Sequence, residues 1–151
     1  MNDSLIELHH TADERLRRDG QRYTTNRRAL VDALGGSDRP LSMGELLERS
    51  EGMAQSSAYR NLAILEEAGV VHRLITSDDT ARYELAEDLT GHHHHVICES
   101  CGSVLDIDAP AELERGVHEL AASVTATHGF VVAHHRLDLV GTCAACIAAP
   151  R

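Results

Sequence analysis

The chain contains no lysine, so all 14 of its basic residues are arginine. Against 24 Asp and Glu this leaves a net charge of −10, which argues against a generally basic nucleic-acid binder. No apolar run approaches the roughly 20 residues that span a bilayer. Met1 to His10 has neither a basic n-region nor an apolar h-region, so no signal peptide is expected and the expected location is cytoplasmic. There is no His-Glu-x-x-His helix and no Gly-rich phosphate loop. No internal repeat is present, and the one low-complexity stretch is a run of histidines. Cysteine is scarce: Cys98, Cys101, Cys143 and Cys146 are the only four, and they fall into two Cys-x-x-Cys pairs. In a reducing compartment such pairs favour metal over disulfide.

What is present is unevenly distributed. Residues 1–75 carry 10 Arg against 12 Asp/Glu, a net −2; residues 76–151 carry 4 against 12, a net −8. Arg15, Arg17, Arg18, Arg22, Arg27 and Arg28 cluster, so the first half can present a local basic surface while the second suits cations. At 151 residues the chain is one domain or two small ones. Two halves of about 65–85 residues would each sit near the lower limit for a self-sufficient core, a problem that metal or dimerisation relieves.

Taken in order, residues 4–19 read as a helix with Leu5, Leu8, Ala12 and Leu16 as its apolar stripe. Thr24 or Thr25 caps a second helix to about Leu34, with Ala29, Leu30, Ala33 and Leu34 inward. Ser42-Met43-Gly44-Glu45 is a capping box opening a third helix to about Arg49. Gln55 or Ser56 starts a fourth, with Ala58, Leu62 and Leu65 facing the core and Gly69 ending it. Strands about Val70–Thr76 and Ala81–Ala86 follow, joined by the turn 77–80. Three helices and a hairpin, preceded by one extra helix, is the order of a winged helix-turn-helix. A small α+β domain with no nucleic-acid role has the same pattern, since fold does not fix function. Glu87–Gly91 reads as a polar hinge. Strands are expected over His92–Cys98, Val104–Ile107 and Phe130–Val140. A helix runs from Ala109-Pro110 to about Thr127, with Leu113, Val117, Leu120 and Val124 as its stripe.

The two cysteine knuckles can supply four thiolates to one closed, structural zinc. The 41 residues between Cys101 and Cys143 mean that the fold itself must bring them together. On a strand, alternate side chains point to opposite faces, so His92 and His94 face one way and His93 and His95 the other. One short strand can thus feed two metal sites; a solvated polar strand is the plainer reading. Neutral imidazole suits zinc, iron, nickel and copper. Candidate partners are His135 on the apolar face of its strand, with His134 opposite. Glu114 and His118 share one side of the helix. His72 and Glu84 stand on the wing strands, and Asp106 follows the first knuckle.

These residues resemble the ferric uptake regulator (Fur) superfamily of metal-dependent repressors, from about Leu16 to Cys146. The likeness rests on Arg22-Tyr23-Thr24-x-x-Arg27, Ser57-Ala58-Tyr59-Arg60-Asn61-Leu62, Ala68-Gly69-Val70-Val71, Arg82-Tyr83-Glu84-Leu85, His92–His95, Cys98-x-x-Cys101-Gly102, His128-Gly129-Phe130 and Gly141-x-Cys143-x-x-Cys146. The resemblance implies an α+β homodimer: a winged-helix DNA-binding domain over 1–86, a hinge over 87–91, and a small α/β dimerisation domain over 92–151. It implies structural zinc on the four cysteines.

It also implies a regulatory Zn2+ or Fe2+ (or Mn2+ or Ni2+) at the hinge, held by His72, Glu84, His93 and His95, with Asp106 as a substitute or fifth ligand. The family's usual histidine near residues 39–40 is replaced by Arg39 and Pro40, and the cysteine of zinc-sensing relatives, near Ala86, is missing. A third family site joins His92, His94 and His135 to a helix position that falls on His118 when counted back from His128. Counted forward from Cys98 it falls on Leu113, with Glu114 a spare candidate. Double-stranded operator DNA, an A/T-rich inverted repeat, is the implied partner. Tyr59 is expected at a thymine methyl, Ser56 and Ser57 beside it on the recognition helix, and Arg60, Arg17, Arg18, Arg22 and Arg27 at phosphates or in the minor groove. Arg17 near Asp13 is also placed for a surface ion pair. The alternatives are a peroxide-sensing Fe/Mn-dependent repressor of the same family and, from a different class, a zinc-dependent hydrolase; a non-enzymatic regulator is the expectation.

Overall fold

In a computed structural model, residues 3–76 and 79–149 are described. Helix α1 (Asp3–Arg18) precedes α2 (Thr25–Gly35), β1 (Leu41–Ser42), α3 (Met43–Arg49) and α4 (Gln55–Glu67). Strands β2 (Val71–Ile75) and β3 (Ala81–Leu85) follow. Of the expected turn between them, Ser77 and Asp78 lie outside the described residues. The helix starts follow local chemistry. Thr24 accepts from the Arg27 amide, and Ser42 and Glu45 form the reciprocal capping box. Gly69, at φ +69°, supplies the left-handed residue past α4, and the Val70 amide closes back on Leu65 O at 2.8 Å.

Leu16, Leu30, Val31, Leu41, Leu46, Leu62, Leu65 and Val70 are all essentially inaccessible and form one aliphatic core. Each such side chain contributes about 1.5–3 kcal/mol relative to exposure. The wing has a strand that local reading does not find. β1 is only two residues long and pairs antiparallel with β3 (Leu41↔Tyr83), giving the order β1-β3-β2. So short a strand has no periodicity of its own; its partner defines it.

The segment expected as a plain hinge contains one helical turn, α5 (Glu87–Thr90). Beyond it come β4 (His94–Cys98), β5 (Val104–Ile107), α6 (Ala111–His128), β6 (Asp138–Gly141) and α7 (Ala144–Ala148). β4 is central: β5 runs antiparallel to it and β6 parallel, with Ile97 opposite Val104 and Cys98 opposite Gly141. The strand expected over Phe130–Val140 is limited to the stretch beginning at Asp138. The register explains the difference. Asp138 pairs with His95, next to the first residue of β4, so the residues before it run past the end of their only partner strand. Phe130 and Val131 are 66% and 85% exposed. The apolar stripe of α6 is present but only partly covered: Val117 and Val124 are half-buried, Leu113 and Leu120 are 44% and 63% exposed, and no residue of the helix is fully buried. Among the described residues, no helix is long and apolar enough to cross a membrane.

Candidate metal centre

Pairing Cys98 with Gly141 brings the two cysteine knuckles to one end of the second sheet. One sulfur from each of Cys98, Cys101, Cys143 and Cys146 lies within 4.8 Å of all the others. Cys101 Sγ and Cys143 Sγ are 3.8 Å apart. A tetrahedron with Zn–S of about 2.3 Å has an edge of about 3.8 Å, so the residues fit a zinc ion. The Cys143 amide donates to Cys98 Sγ at 3.3 Å, and with the Cys101 amide it pulls the Cys98 thiol down to about 6. Cys146 moves the other way, up to about 12, through its contacts with Cys143 and Cys101. Four crowded thiols cannot all ionise unaided; a divalent cation removes that obstacle.

The second group forms at the junction of the two halves. Glu84 comes from β3, His93 from the residue just before β4, His95 from within β4 and Asp106 from β5; their donor atoms lie within 4.8 Å of one another. Glu84 Oε2 is 3.2 Å from His93 Nε2 and 3.0 Å from His95 Nε2. Asp106 is directly opposite His95 in the strand register, and its carboxylate lies 3.8 Å from His95 Nε2 and 3.9 Å from His93 Nε2.

Both imidazoles are oriented from behind. His93 Nδ1 is 3.0 Å from Gly91 O and His95 Nδ1 is 3.4 Å from Asp138 Oδ1, an arrangement that leaves each Nε2 free for a metal. Burial opposes charge on Glu84, but contacts with His95 and His93 outweigh it and hold the carboxylate below its usual range. Burial also opposes charge on the two histidines, yet Gly91 and Glu84 raise His93, and Glu84 and Asp106 raise His95. Asp106 is raised by burial, and its buried Oδ1 has no hydrogen-bond partner. A carboxylate that turns one oxygen to each of two imidazoles, with the buried one orphaned, fits a bound cation.

His72 is placed differently from the expectation. It pairs opposite Glu84, but its Nδ1 approaches the other carboxylate oxygen, Oε1, at 3.8 Å, and its side chain is 61% exposed. It therefore backs Glu84 from outside and does not converge with the other donors. Arg39, where a family histidine was looked for, binds Glu45 at 2.5 Å.

A third group joins His92, His94, Glu114 and His135, again within 4.8 Å. His92 Nε2 is 3.1 Å from His135 Nε2, and His94 Nε2 is 2.6 Å from Glu114 Oε1. Glu114 supplies the helix carboxylate; His118, one turn further along α6, is exposed and outside the group. The four histidines thus divide between two sites by strand alternation.

The residues considered for DNA contact divide as well. Ser56, Tyr59 and Arg60 are exposed along α4, with Tyr59 at 49%, and Arg18 and Arg22 are exposed too. Arg17 pairs with Asp13 at 3.0 Å. Ser57 is half-buried and accepts from Asn26 and Asn61, both at 3.2 Å. Arg27 departs furthest from expectation: it is 7% exposed. Its guanidinium donates to Asn61 Oδ1 (3.1 Å), Gln21 Oε1 (3.2 Å) and Arg22 O. Its charge is used inside the fold to fasten α2 to α4, which leaves little of it open to a phosphate.

The family model described as the ferric uptake regulator family matches residues 18–140. A peroxide operon regulator of Bacillus subtilis is 35% identical over 137 residues, covering 88% of this chain and 89% of its own length. A solved zinc-bound manganese uptake regulator is 31% identical, with a TM-score of 0.63 over 88% of this chain and 98% of that one. The Helicobacter pylori ferric uptake regulator, a structure with three functional metal binding sites, shares the fold at TM-score 0.76 and 24% identity over 97% and 96% of the two chains. A match of that extent leaves one home for a winged helix joined to a metal-binding half: the chain belongs to the ferric uptake regulator family and is one of its metal-responsive transcriptional repressors.

Proposed function

We propose that the chain acts as a homodimer on an A/T-rich inverted-repeat operator, and that a metal ion on Glu84, His93, His95 and Asp106 gates its binding. Residues 1–86 serve as the DNA-binding unit, 87–91 as the hinge and 92–151 as the dimerisation unit. The observation that carries this reading is the origin of the ligands. Glu84 belongs to the wing, while His93, His95 and Asp106 belong to the other half. An ion shared between them would tie the wing to the dimer and set the separation of two recognition helices, which the operator reads as half-site spacing. A tenfold gain in affinity requires only about 1.4 kcal/mol of coupling. Dimerisation is supported by the uncovered apolar surface at Leu113, Leu120, Phe130, Val131 and Val140.

The test is operator binding by protein already carrying structural zinc, titrated with Zn2+, Fe2+, Mn2+ and Ni2+ in metal buffers. At least a tenfold tightening is expected with one or more of them; no change with any ion would refute metal gating. Asp106→Ala should remove most of the response while His72→Ala weakens it by only a few-fold. The reverse order would return His72 to the ligand set.

A peroxide-sensing role is favoured by the chemistry of the four donors. Two carboxylates and two imidazoles suit Fe2+ or Mn2+ better than a zinc site built from three histidines. Bound Fe2+ would supply the reactivity toward peroxide; His93 and His95, facing it through Nε2, are the residues exposed to that chemistry. Mass spectrometry of the iron-loaded protein after peroxide should find one added oxygen on His93 or His95. Unmodified histidines, with repression intact, would remove this reading and leave metal sensing.

A further inference from the structure

Arg15 belongs to the arginine cluster of the first half, but its side chain is only 16% exposed and faces inward. One guanidinium nitrogen donates to the carbonyl of Gly69, immediately past the C-terminus of α4. Positive charge is favoured there by the helix dipole. The other donates to Asp88 of α5, with a further contact to the same carboxylate at 3.4 Å. The neighbouring residue, Glu87, takes a contact from His92 Nδ1. His92 Nε2 points the opposite way, into the group with His94, Glu114 and His135. Between these polar ends, Leu89 packs against the aliphatic core of the winged half. The one-turn helix therefore has a polar grip at each side: a histidine of the second half through Glu87, and the end of the recognition helix through Asp88 and Arg15.

We infer that α5 couples the His92 site to the recognition helix, with Glu87, Asp88 and Arg15 as positioning residues. An ion on His92 Nε2 keeps the proton on Nδ1, so Glu87 becomes a fixed acceptor and α5 is held in one orientation. Asp88 then holds Arg15 against Gly69 O, and the C-terminal end of α4 is fixed relative to the metal-binding half. None of the three residues needs to touch metal through its own side chain or touch DNA.

This inference rests on the metal-gated reading above, and the experiment separates the two. Zinc-loaded wild-type protein, Asp88→Asn and Glu87→Ala are compared for operator affinity with and without saturating Mn2+. Chelator competition then measures Mn2+ affinity with and without operator. Wild type should gain at least tenfold in operator affinity. By reciprocity it should hold Mn2+ more tightly by the same factor when operator is present. Both variants should keep the metal-free operator affinity within about twofold yet lose roughly threefold of the mutual gain, the remainder staying with the ion on Glu84, His93, His95 and Asp106. Asp88→Asn should also keep the operator-free Mn2+ affinity, whereas Glu87→Ala, which removes the support behind His92, should bind Mn2+ more weakly; a general structural defect would lower all of these in both variants.

The exchanged pair Arg15→Asp with Asp88→Arg should recover part of the gain. If Asp88→Asn retains the full gain, the Arg15–Asp88 link is wrong; if Glu87→Ala retains it, the signal does not start at His92. A wild type with no gain refutes metal gating itself, and this inference with it. The 65% exposure of Asp88 keeps its substitution clear of the core, so the test does not depend on tolerance at the more enclosed Arg15.

Discussion

The two halves of this chain are held together by different means. The first fills its interior with leucine: Leu16, Leu30, Leu41, Leu46, Leu62 and Leu65 are all inaccessible, and four helices and a three-stranded wing close around them. In the second half, the buried side chains among the described residues are His94, His95, Ile97, Cys98 and Val104. Three of the five belong to metal-ligating groups. No residue of its 18-residue helix is fully buried. The winged half has an aliphatic core of its own, whereas the metal-binding half gathers groups of metal-ligating donors and leaves exposed the apolar face proposed above to meet a second copy.

The contrast can be broken most forcefully at the cysteines. Cys143→Ser, or removal of zinc by a strong chelator, should abolish amide protection across β4–β6 while the core from Ala12 to Leu85 keeps its own. Structural zinc sites contribute about 10–16 kcal/mol in isolated peptides, more than this sparse half can replace by burial. Hydrogen exchange read by mass spectrometry distinguishes the halves, and equal loss in both would mean that they share one cooperative core.

A smaller effect is expected at the apolar face. Leu120→Glu, at a residue 63% exposed in the single chain, should weaken dimerisation by at least 100-fold in analytical ultracentrifugation and leave the unfolding of the first half unchanged. An unaltered dimer would place the interface elsewhere.

The smallest effect sharpens the first half. Glu45 is held down to about 2, chiefly by its hydrogen bond from Arg39, against burial and with help from Ser42. A depressed folded-state carboxylate contributes stability above its unfolded value near 4.5 and loses it as pH falls toward 2. Glu45→Gln should therefore lower stability at pH 7 by on the order of 2 kcal/mol, with the difference from wild type closing under acid. Denaturant midpoints at pH 7 and pH 3 measure it; a difference that does not shrink would show that the ion pair is not its source.

Much of the winged half was readable because its determinants are local: the Thr24 and Ser42 caps, the spacing of the leucines, the stop at Gly69. The buried role of Arg27 was readable too, since it precedes Leu30, Val31 and Leu34 at the three-, four- and seven-residue spacings of one helix face. Charge drew attention away from periodicity. The metal groups divide in the same way. Strand alternation separates the histidines without any partner, and counting back along the hairpin from Cys98 would have set Asp106 opposite His95. No local signal selects Glu114 over His118, because which turn of α6 overhangs β4 depends on how the chain crosses from β5. The short reach of β6 is equally non-local, set by where β4 begins.

The register of β4 carries one more consequence. Adjacent histidines serve different metal groups, so sliding this strand by a single residue against its neighbours would turn each histidine toward the wrong set of partners. Both groups would then be dismantled together, although no ligand had been lost. The Cys98–Gly141 pairing, fastened by the cysteine cluster at the far end of the strand, acts against that slip. A zinc ion held by the four cysteines would thus be the alignment mark for the whole histidine run: it would carry no signal itself, but would determine which imidazole answers to which ion.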